Sequence, residues 1–283
     1  MNVIGERDYR LVCRLVYENS RIHLGSDKKE LVSARLGKRL RHLDLHTYSE
    51  YCRLLESPAG VEELAHLVDV ISTNFTNFFR ENGHFEFLEE TILKEWLSRQ
   101  KAKREGDGCL HVWSAAASSG EEPYSIGVML AEHTAELQGL DWHVEATDIS
   151  TRMIEKARSG IYEKERLSQV SQAWIQRYFQ YGSGKWEGYY RVRPELRSKI
   201  AFQCLNLLQA TYPFSRKFHV IFCRNVMIYF DRATQEQLVG NLCSQLLPGG
   251  YLIIGHSETL TSVSHPLKIV RPSIYYKPHT EHS

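Results

Sequence analysis

Several polar residues in this sequence stand where an apolar run ends, the position at which a buried strand hands the chain to a ligand site. LHVWSAAA (110–117) is followed by SSGEEP (118–123). Gly120 permits a tight turn and close approach of a ligand to the backbone. A dinucleotide-binding fold carries three glycines at this turn and this chain has one, which disfavours pyrophosphate. Glu121 and Glu122 suit the start of a helix, would repel a phosphate there and would attract a cation. Asp148 ends WHVEATD (142–148). An acid at that place accepts hydrogen bonds from ribose hydroxyls, and it also reads as a cap for the next helix. Asn206 follows KIAFQ and reads either as a partner for an adenine edge or as an ordinary Asn turn. Arg224, Asn225 and Tyr229 follow FHVIFC. Polar groups ending so apolar a strand need partners, whereas spacing alone favours reading Tyr229 as a core aromatic. A ribose-binding acid, a glycine turn and acids at a helix start describe a site for a positively charged nucleoside. S-adenosylmethionine fits best.

The elements that must position these residues alternate. From 110 onward, apolar runs of strand length separate helical stretches: EEPYSIGVMLAEHTAEL (121–137), with Pro123 in its first turn, STRMIEKARSG, with Ser150 as N-cap, and TQEQLVGNLCSQLL. PGGYLIIGHSE and KIVRPSIYY read as the last two strands. Such alternation predicts a doubly wound parallel sheet, with ligands beyond the carboxyl ends of its strands. Residues 178–203 break the rhythm with glycine and aromatics and read as a small antiparallel β insertion. Before residue 98 the spacing of apolar residues by three and four predicts helices throughout, the last of them HFEFLEETILKEWL. RQKAKREGDG (99–108) reads as a solvated connection. The expected domains are therefore 1–90, all helical, and 91–283, α/β.

Composition narrows the classes. A chain of 283 residues has room for about two domains. Its 35 Lys and Arg balance 34 Asp and Glu, which argues against a dedicated nucleic-acid binder. No apolar run approaches the roughly 18 residues of a spanning helix, and MNVIGERDYR lacks the apolar region of a signal peptide. The expected location is the cytoplasm. The six cysteines form no CxxC pair and the 13 histidines include no HExxH, so free thiols and no metal are expected.

TNFTNFFRE (73–81), WSAAASSGEEPYSI (113–126), ATDIS (146–150), KARSGIY (156–162), CRNVMIYFD (223–231) and GHSE (255–258) closely resemble the chemotaxis receptor methyltransferases, the CheR family. The resemblance covers nearly the whole chain in order. It implies a Rossmann-like S-adenosylmethionine methyltransferase domain with a small β-subdomain, preceded by an all-α domain that contacts the receptor. It also implies methyl transfer to glutamate side chains of chemoreceptor signalling helices, giving glutamyl methyl esters and S-adenosylhomocysteine. Residue by residue, it places Asn74, Thr76 and Arg80 against the cofactor, with Arg80 near the transferred methyl. Glu122 would hold the methionyl ammonium, Asp148 the ribose, and Asn206 and Leu207 the adenine. Arg224 and Asn225 would line the cleft, and Tyr229 would lie close to the methyl.

Such chemistry needs few groups. A glutamate side chain, with a reference pKa of about 4.3, is already an anionic nucleophile at neutral pH. No general base is required, so Arg80 is assigned to orienting a carboxylate and Tyr229 to shaping the methyl slot. On the substrate side, KKELVSARLGKRLRHLDLH (28–46) gathers Arg35, Lys38, Arg39 and Arg41, with Leu31, Leu36, Leu40 and Leu43 facing inward. The charge run reads as a solvated helix face or, on the family resemblance, as the surface that meets acidic receptor helices. The expected partners are chemoreceptor cytoplasmic domains, with a receptor tail peptide at the β-subdomain as a further one. Alternatives are a methyltransferase acting on another protein or a small carboxylic acid, and a cofactor-binding sensor without catalysis.

Overall fold

The computed structural model describes residues 3–72, 75–101, 108–134 and 140–279. Four helices come first: α1 (Glu6–Ser20), α2 (Lys29–His42), α3 (Tyr48–Leu55) and α4 (Gly60–Ile71). α3 begins in a capping box, in which the Thr47 hydroxyl accepts from the Glu50 amide and the Glu50 carboxylate accepts from the Thr47 amide. Val12, Val16, Leu36, Leu40, Tyr51, Leu67 and Ile71 form their shared core. Leu31, expected to face inward, is 45 % exposed.

Arg39 does not offer the free charge expected of it. It makes a fork on Glu63 through Nε (2.9 Å) and Nη2 (2.6 Å), and the Tyr51 hydroxyl donates to the same carboxylate. Only 15 % of the Arg39 side chain and 7 % of the Glu63 side chain are exposed. Burial alone would raise the Glu63 carboxyl; the hydrogen bonds from Arg39 and Tyr51 outweigh it and hold the group below its usual range. Lys38 and Arg41 are exposed on the same helix.

The predicted helix HFEFLEETILKEWL is a run of α5 (Gly83–Phe87), a π-helical stretch (Leu88–Leu93) and α6 (Lys94–Lys101). The wider turn brings Phe85, Phe87, Leu88, Ile92, Leu93 and Trp96 onto the sheet's core. Residues 78–97 thus pack with the sheet, although the sequence pattern groups everything up to 90 with the four helices.

The sheet is built from β1 (Cys109–Ala115), α7 (Glu121–Thr134), β2 (Asp141–Asp148) and α8 (Thr151–Ser159), the last capped by the Ser150 hydroxyl. There follow β3 (Ile161–Glu163), α9 (Gln172–Tyr178), β4 (Phe179–Tyr181), β5 (Tyr189–Val192), α10 (Pro194–Arg197), β6 (Ile200–Cys204), β7 (Phe218–Cys223), α11 (Arg232–Gln245), β8 (Leu246–Ile254), β9 (Lys268–Arg271) and β10 (Ile274–Tyr276). The order is β6-β2-β1-β7-β8-β10-β9, parallel from β6 to β8, so β1 and β7 flank the point where the winding reverses. Along β1 the side chains alternate, Val112 into the core on one face and Trp113 into that on the other.

Two expectations change. KIVRPSIYY is a hairpin rather than one strand, because Pro272 cannot donate to a ladder and Ser273 turns with φ 62°. The small antiparallel sheet has the order β3-β5-β4. It therefore starts earlier than residue 178, at Ile161–Glu163, and residues 200–204 leave it to become the edge strand of the main sheet. The connection at 99–108 falls mostly outside the described residues. Among the described residues no helix is long and apolar enough to cross a membrane.

The two halves meet through polar contacts. The Tyr17 hydroxyl donates to Asp231 (2.6 Å), the N-cap of α11, and the His23 amide donates to the Tyr229 carbonyl (2.9 Å). The bonds from Tyr17 and the Thr234 amide hold the Asp231 carboxyl at about 2.

Two outcomes follow for stability. Arg39→Ala leaves Glu63 buried without its counter-charge and should cost about 3 kcal/mol in urea denaturation, whereas Arg41→Ala should stay within about 0.5 kcal/mol. Ionised Asp231, with its lowered folded pKa, contributes stability that is present above its ordinary pKa and lost as pH falls through the folded one. The stability difference between wild type and Asp231→Asn should therefore hold constant near neutral pH and shrink below about pH 4.

Candidate functional site

The carboxyl ends of β1, β2, β6 and β7 open into a cavity of about 410 Å³, and the four-helix part supplies its opposite wall through Ile22–Leu24, Leu31, Arg35 and Ile71. A volume of that size suits a small-molecule ligand. The sharp turn after β1 depends on Gly120, whose φ is +97°. A Cβ there would lie 2.7 Å from the Tyr162 hydroxyl and 2.8 Å from Ala157 Cβ.

Asp148 is buried at the end of β2. Its Oδ2 accepts from the Ser118 amide (2.8 Å) and its Oδ1 from the Ser150 amide (2.9 Å), tying the two strand-end turns together. The helix cap is Ser150, so Asp148 is not the cap. Burial pushes its carboxyl up, against the pull of those amides. Two backbone bonds leave half of a carboxylate's acceptor sites for hydroxyl groups.

Glu122 has a protein partner already. Its carboxylate accepts from the Ser114 hydroxyl (2.7 Å) and from Arg224 Nη1 (2.9 Å). Burial raises the carboxyl while Arg224 draws it down. The Arg224 side chain, 2 % exposed, also reaches Glu81 (3.0 Å) and the Arg80 carbonyl. One buried guanidinium therefore faces two carboxylates. Burial opposes ionisation of Glu81, but Arg224 wins and lowers it. Beside it, burial and the Arg224 charge push the His84 ring down to about 3. Glu121, expected to share the cation-attracting role, is fully buried outside the cavity and accepts from Ser119 Oγ (2.6 Å).

The other expected residues divide clearly. Thr76, Arg80, Asn206, Leu207, Asn225 and Tyr229 all line the cavity. Asn74 lies outside the described residues. Arg80 is one-third exposed, with Nη1 on the Phe75 carbonyl (3.0 Å) and Nε 4.0 Å from Glu81. Asn206 makes the ordinary Asn turn, its Oδ1 accepting from the Leu208 amide, and its Nδ2 donates to the Asn19 carbonyl in α1. Tyr229 is half-buried against the cavity, not in the core; Met227 takes the core position. Of the four basic residues expected to meet the substrate, only Arg35 reaches the cavity, and it donates to the Ile71 and Ser72 carbonyls at the end of α4.

The sequence reading missed two residues. Glu81 lies inside TNFTNFFRE, and Glu258 inside GHSE. Glu258 accepts from the amides of Asn225 (2.9 Å), Gly255 (2.7 Å) and Met227 (2.8 Å), fixing the turn after β7. Both stood in motifs already singled out, but neither ends an apolar run. The backbone around the site is unusual as well. Phe79, Glu81, Ala116, Ser118 and Asn225 all have φ between 48° and 66°. Non-glycine residues seldom adopt that region, and such strain collects at functional sites.

Comparisons with known proteins agree with this geometry. Residues 7–72 match the family model described as CheR methyltransferase, all-alpha domain, and residues 74–276 match CheR methyltransferase, SAM binding domain. The chain is 40 % identical over 272 residues to a chemotaxis protein methyltransferase of Klebsiella aerogenes, covering 96 % of this chain and 90 % of that one. It is 39 % identical to the Salmonella typhimurium protein of the same name, with the same coverage. Against that of Borreliella burgdorferi it is 37 % identical over 279 residues, covering 98 % of this chain and 96 % of the other.

Glu258→Gln replaces an acceptor of three amides by a group with one acceptor oxygen. It should lower stability by about 1–3 kcal/mol in urea denaturation. An unchanged midpoint would mean that the turn after β7 does not depend on this carboxylate.

Proposed function

The chain belongs to the CheR methyltransferase family, and on that premise we propose that it transfers methyl groups from S-adenosylmethionine to glutamate side chains of chemoreceptor cytoplasmic domains, with glutamyl methyl esters and S-adenosylhomocysteine as products. The observation that carries this reading is the convergence of Asp148, Glu122, Arg80 and Tyr229 on one cavity at the winding reversal of the sheet. The cavity's chemistry fits the cofactor. Ile149, Leu205 and Leu207 give it an apolar flank beside Asp148, and Glu122 and Asp148 place two carboxylates on its wall.

When bound, S-adenosylmethionine supplies an electrophilic methyl group on a sulfonium. Asp148 holds the ribose hydroxyls with the acceptor sites its backbone bonds leave over. Asn206 and Leu207 frame the adenine. Glu122 attracts the methionyl ammonium, and Asn225, Thr76 and Asn74 complete the cofactor side. Arg80, one-third exposed at the cavity wall, orients a carboxylate, and Tyr229 shapes the slot for the methyl. The acceptor carboxylate needs no base, since it is ionised at neutral pH. Proximity and alignment then carry most of the rate, an effect worth about 7–11 kcal/mol in well-oriented systems.

The four helices up to Ile71 form the receptor-contact domain, and the part from 75 onward, including the 78–97 segment packed on the sheet, forms the catalytic one. Lys38 and Arg41, exposed on α2, present positive charge to acidic receptor helices. A receptor tail peptide would meet the β-subdomain, where β3 and β4 are the outer strands of the small sheet. The reaction belongs in the cytoplasm, where those receptor domains lie.

Labelled methyl groups should pass to receptor-containing membranes and be released by base as methanol; base-stable label would sink the ester reading. Asp148→Ala should weaken S-adenosylhomocysteine binding about tenfold or more in calorimetry, through lost hydroxyl acceptors. Tyr229→Phe should stay close to wild type in kcat, because no proton moves through the hydroxyl. Lys38→Glu with Arg41→Glu should slow receptor methylation and leave S-adenosylhomocysteine affinity unchanged.

A further inference from the structure

His84 is buried beneath the Arg80–Glu81 turn, with 2 % of its side chain exposed. Its Nε2 lies 2.8 Å from Ser273 Oγ. The Ser273 hydroxyl spends its one hydrogen on the Pro272 carbonyl (2.6 Å), so at His84 it accepts. Nε2 therefore carries the proton, and Nδ1 presents a bare lone pair. That Nδ1 has no hydrogen-bond partner among the described residues. It points at Glu81 Oε2, 3.5 Å away, lone pair against carboxylate. The exposed His256 packs edge-on to the same ring at 4.6 Å, and ligand atoms of Glu81, His84 and His256 lie within 4.8 Å of one another.

We propose that Glu81, His84 and His256 form an inhibitory site for a divalent transition-metal ion such as Zn²⁺. Two imidazoles and a carboxylate with an open fourth position are a zinc donor set. Around a tetrahedral ion with ligand bonds of about 2.0–2.1 Å, donor atoms sit about 3.3 Å apart, and Glu81 Oε2 and His84 Nδ1 already stand close to that spacing. His256, on the exposed turn after β8, closes the remaining gap by moving its side chain. The Nε2–H bond to Ser273 fixes the tautomer that leaves Nδ1 free to coordinate, as outer-shell partners of metal-bound histidines do. The ion competes with Arg224 and Asn225 for Glu81, so binding loosens the cluster that supports the cofactor cleft. The inhibitory part rests on the methyltransferase reading; the binding part does not.

Calorimetry of the full chain with ZnCl₂ in metal-free buffer should find one site, and His256→Ala should lose about tenfold or more in affinity. Co²⁺ should give visible absorption without an intense thiolate band. Saturating Zn²⁺ should weaken S-adenosylhomocysteine binding, with the reverse effect equal in size, and should slow methyl transfer reversibly to EDTA. Absent binding, binding that His256→Ala leaves unchanged, or a thiolate band would overturn the site. Tight binding without any effect on S-adenosylhomocysteine affinity or methyl transfer would overturn its inhibitory role. Should the zinc-free protein transfer no methyl groups at all, the functional reading fails while calorimetry and the cobalt spectrum still decide the site.

Discussion

A single guanidinium organises this molecule's cleft. Arg224 is almost wholly buried at the end of β7 and bridges Glu122 at the start of α7 to Glu81 in the turn before α5. Removing such ions from water costs several kcal/mol each, and only close, hydrogen-bonded pairing offsets it. The pairing here draws three distant segments to one point. Losing Arg224 would leave both carboxylates without their shared cation. The cluster therefore sets where the 75–82 segment crosses the sheet, and with it where Arg80 stands.

Backbone strain follows the same geography. Five non-glycine residues with positive φ surround the cleft, two on the turn that carries Arg80, two after β1 and one after β7. Three of them are held by a specific tether: Asp148 on the Ser118 amide, Glu258 on that of Asn225, Ser125 Oγ on that of Phe79. Carboxylates thus hold two of these turns as acceptors of backbone amides. The strain keeps backbone groups and side chains directed into the cavity, a cost accepted where function needs preorganisation.

The helical part is more than an appendage. It closes the cavity from the far side, and it is fastened by Tyr17 on Asp231, His23 on Tyr229 and Asn206 on Asn19. These are polar contacts at a rim, not a shared core, because the four helices keep their own apolar cluster. A joint of that kind holds the wall in register while each part keeps its own core.

The sequence by itself determined the alternation of strands and helices, the single-glycine turn at Gly120 and the acid at the end of β2. Those depend on local periods and on residue types at strand ends, which the chain displays in order. It also placed most of the cleft, since Asp148, Asn206, Arg224 and Asn225 each follow an apolar run. What only the tertiary structure decided was partnership. Arg39 turned inward to Glu63 rather than outward to a receptor, Glu122 took Arg224 before any ligand, and Glu81 and Glu258 became structural keystones. Charges choose partners by distance in space, and Arg224 lies 102 residues from Glu122 and 143 from Glu81. No periodicity along the chain encodes such a pairing, because it forms only once the sheet has brought those ends together.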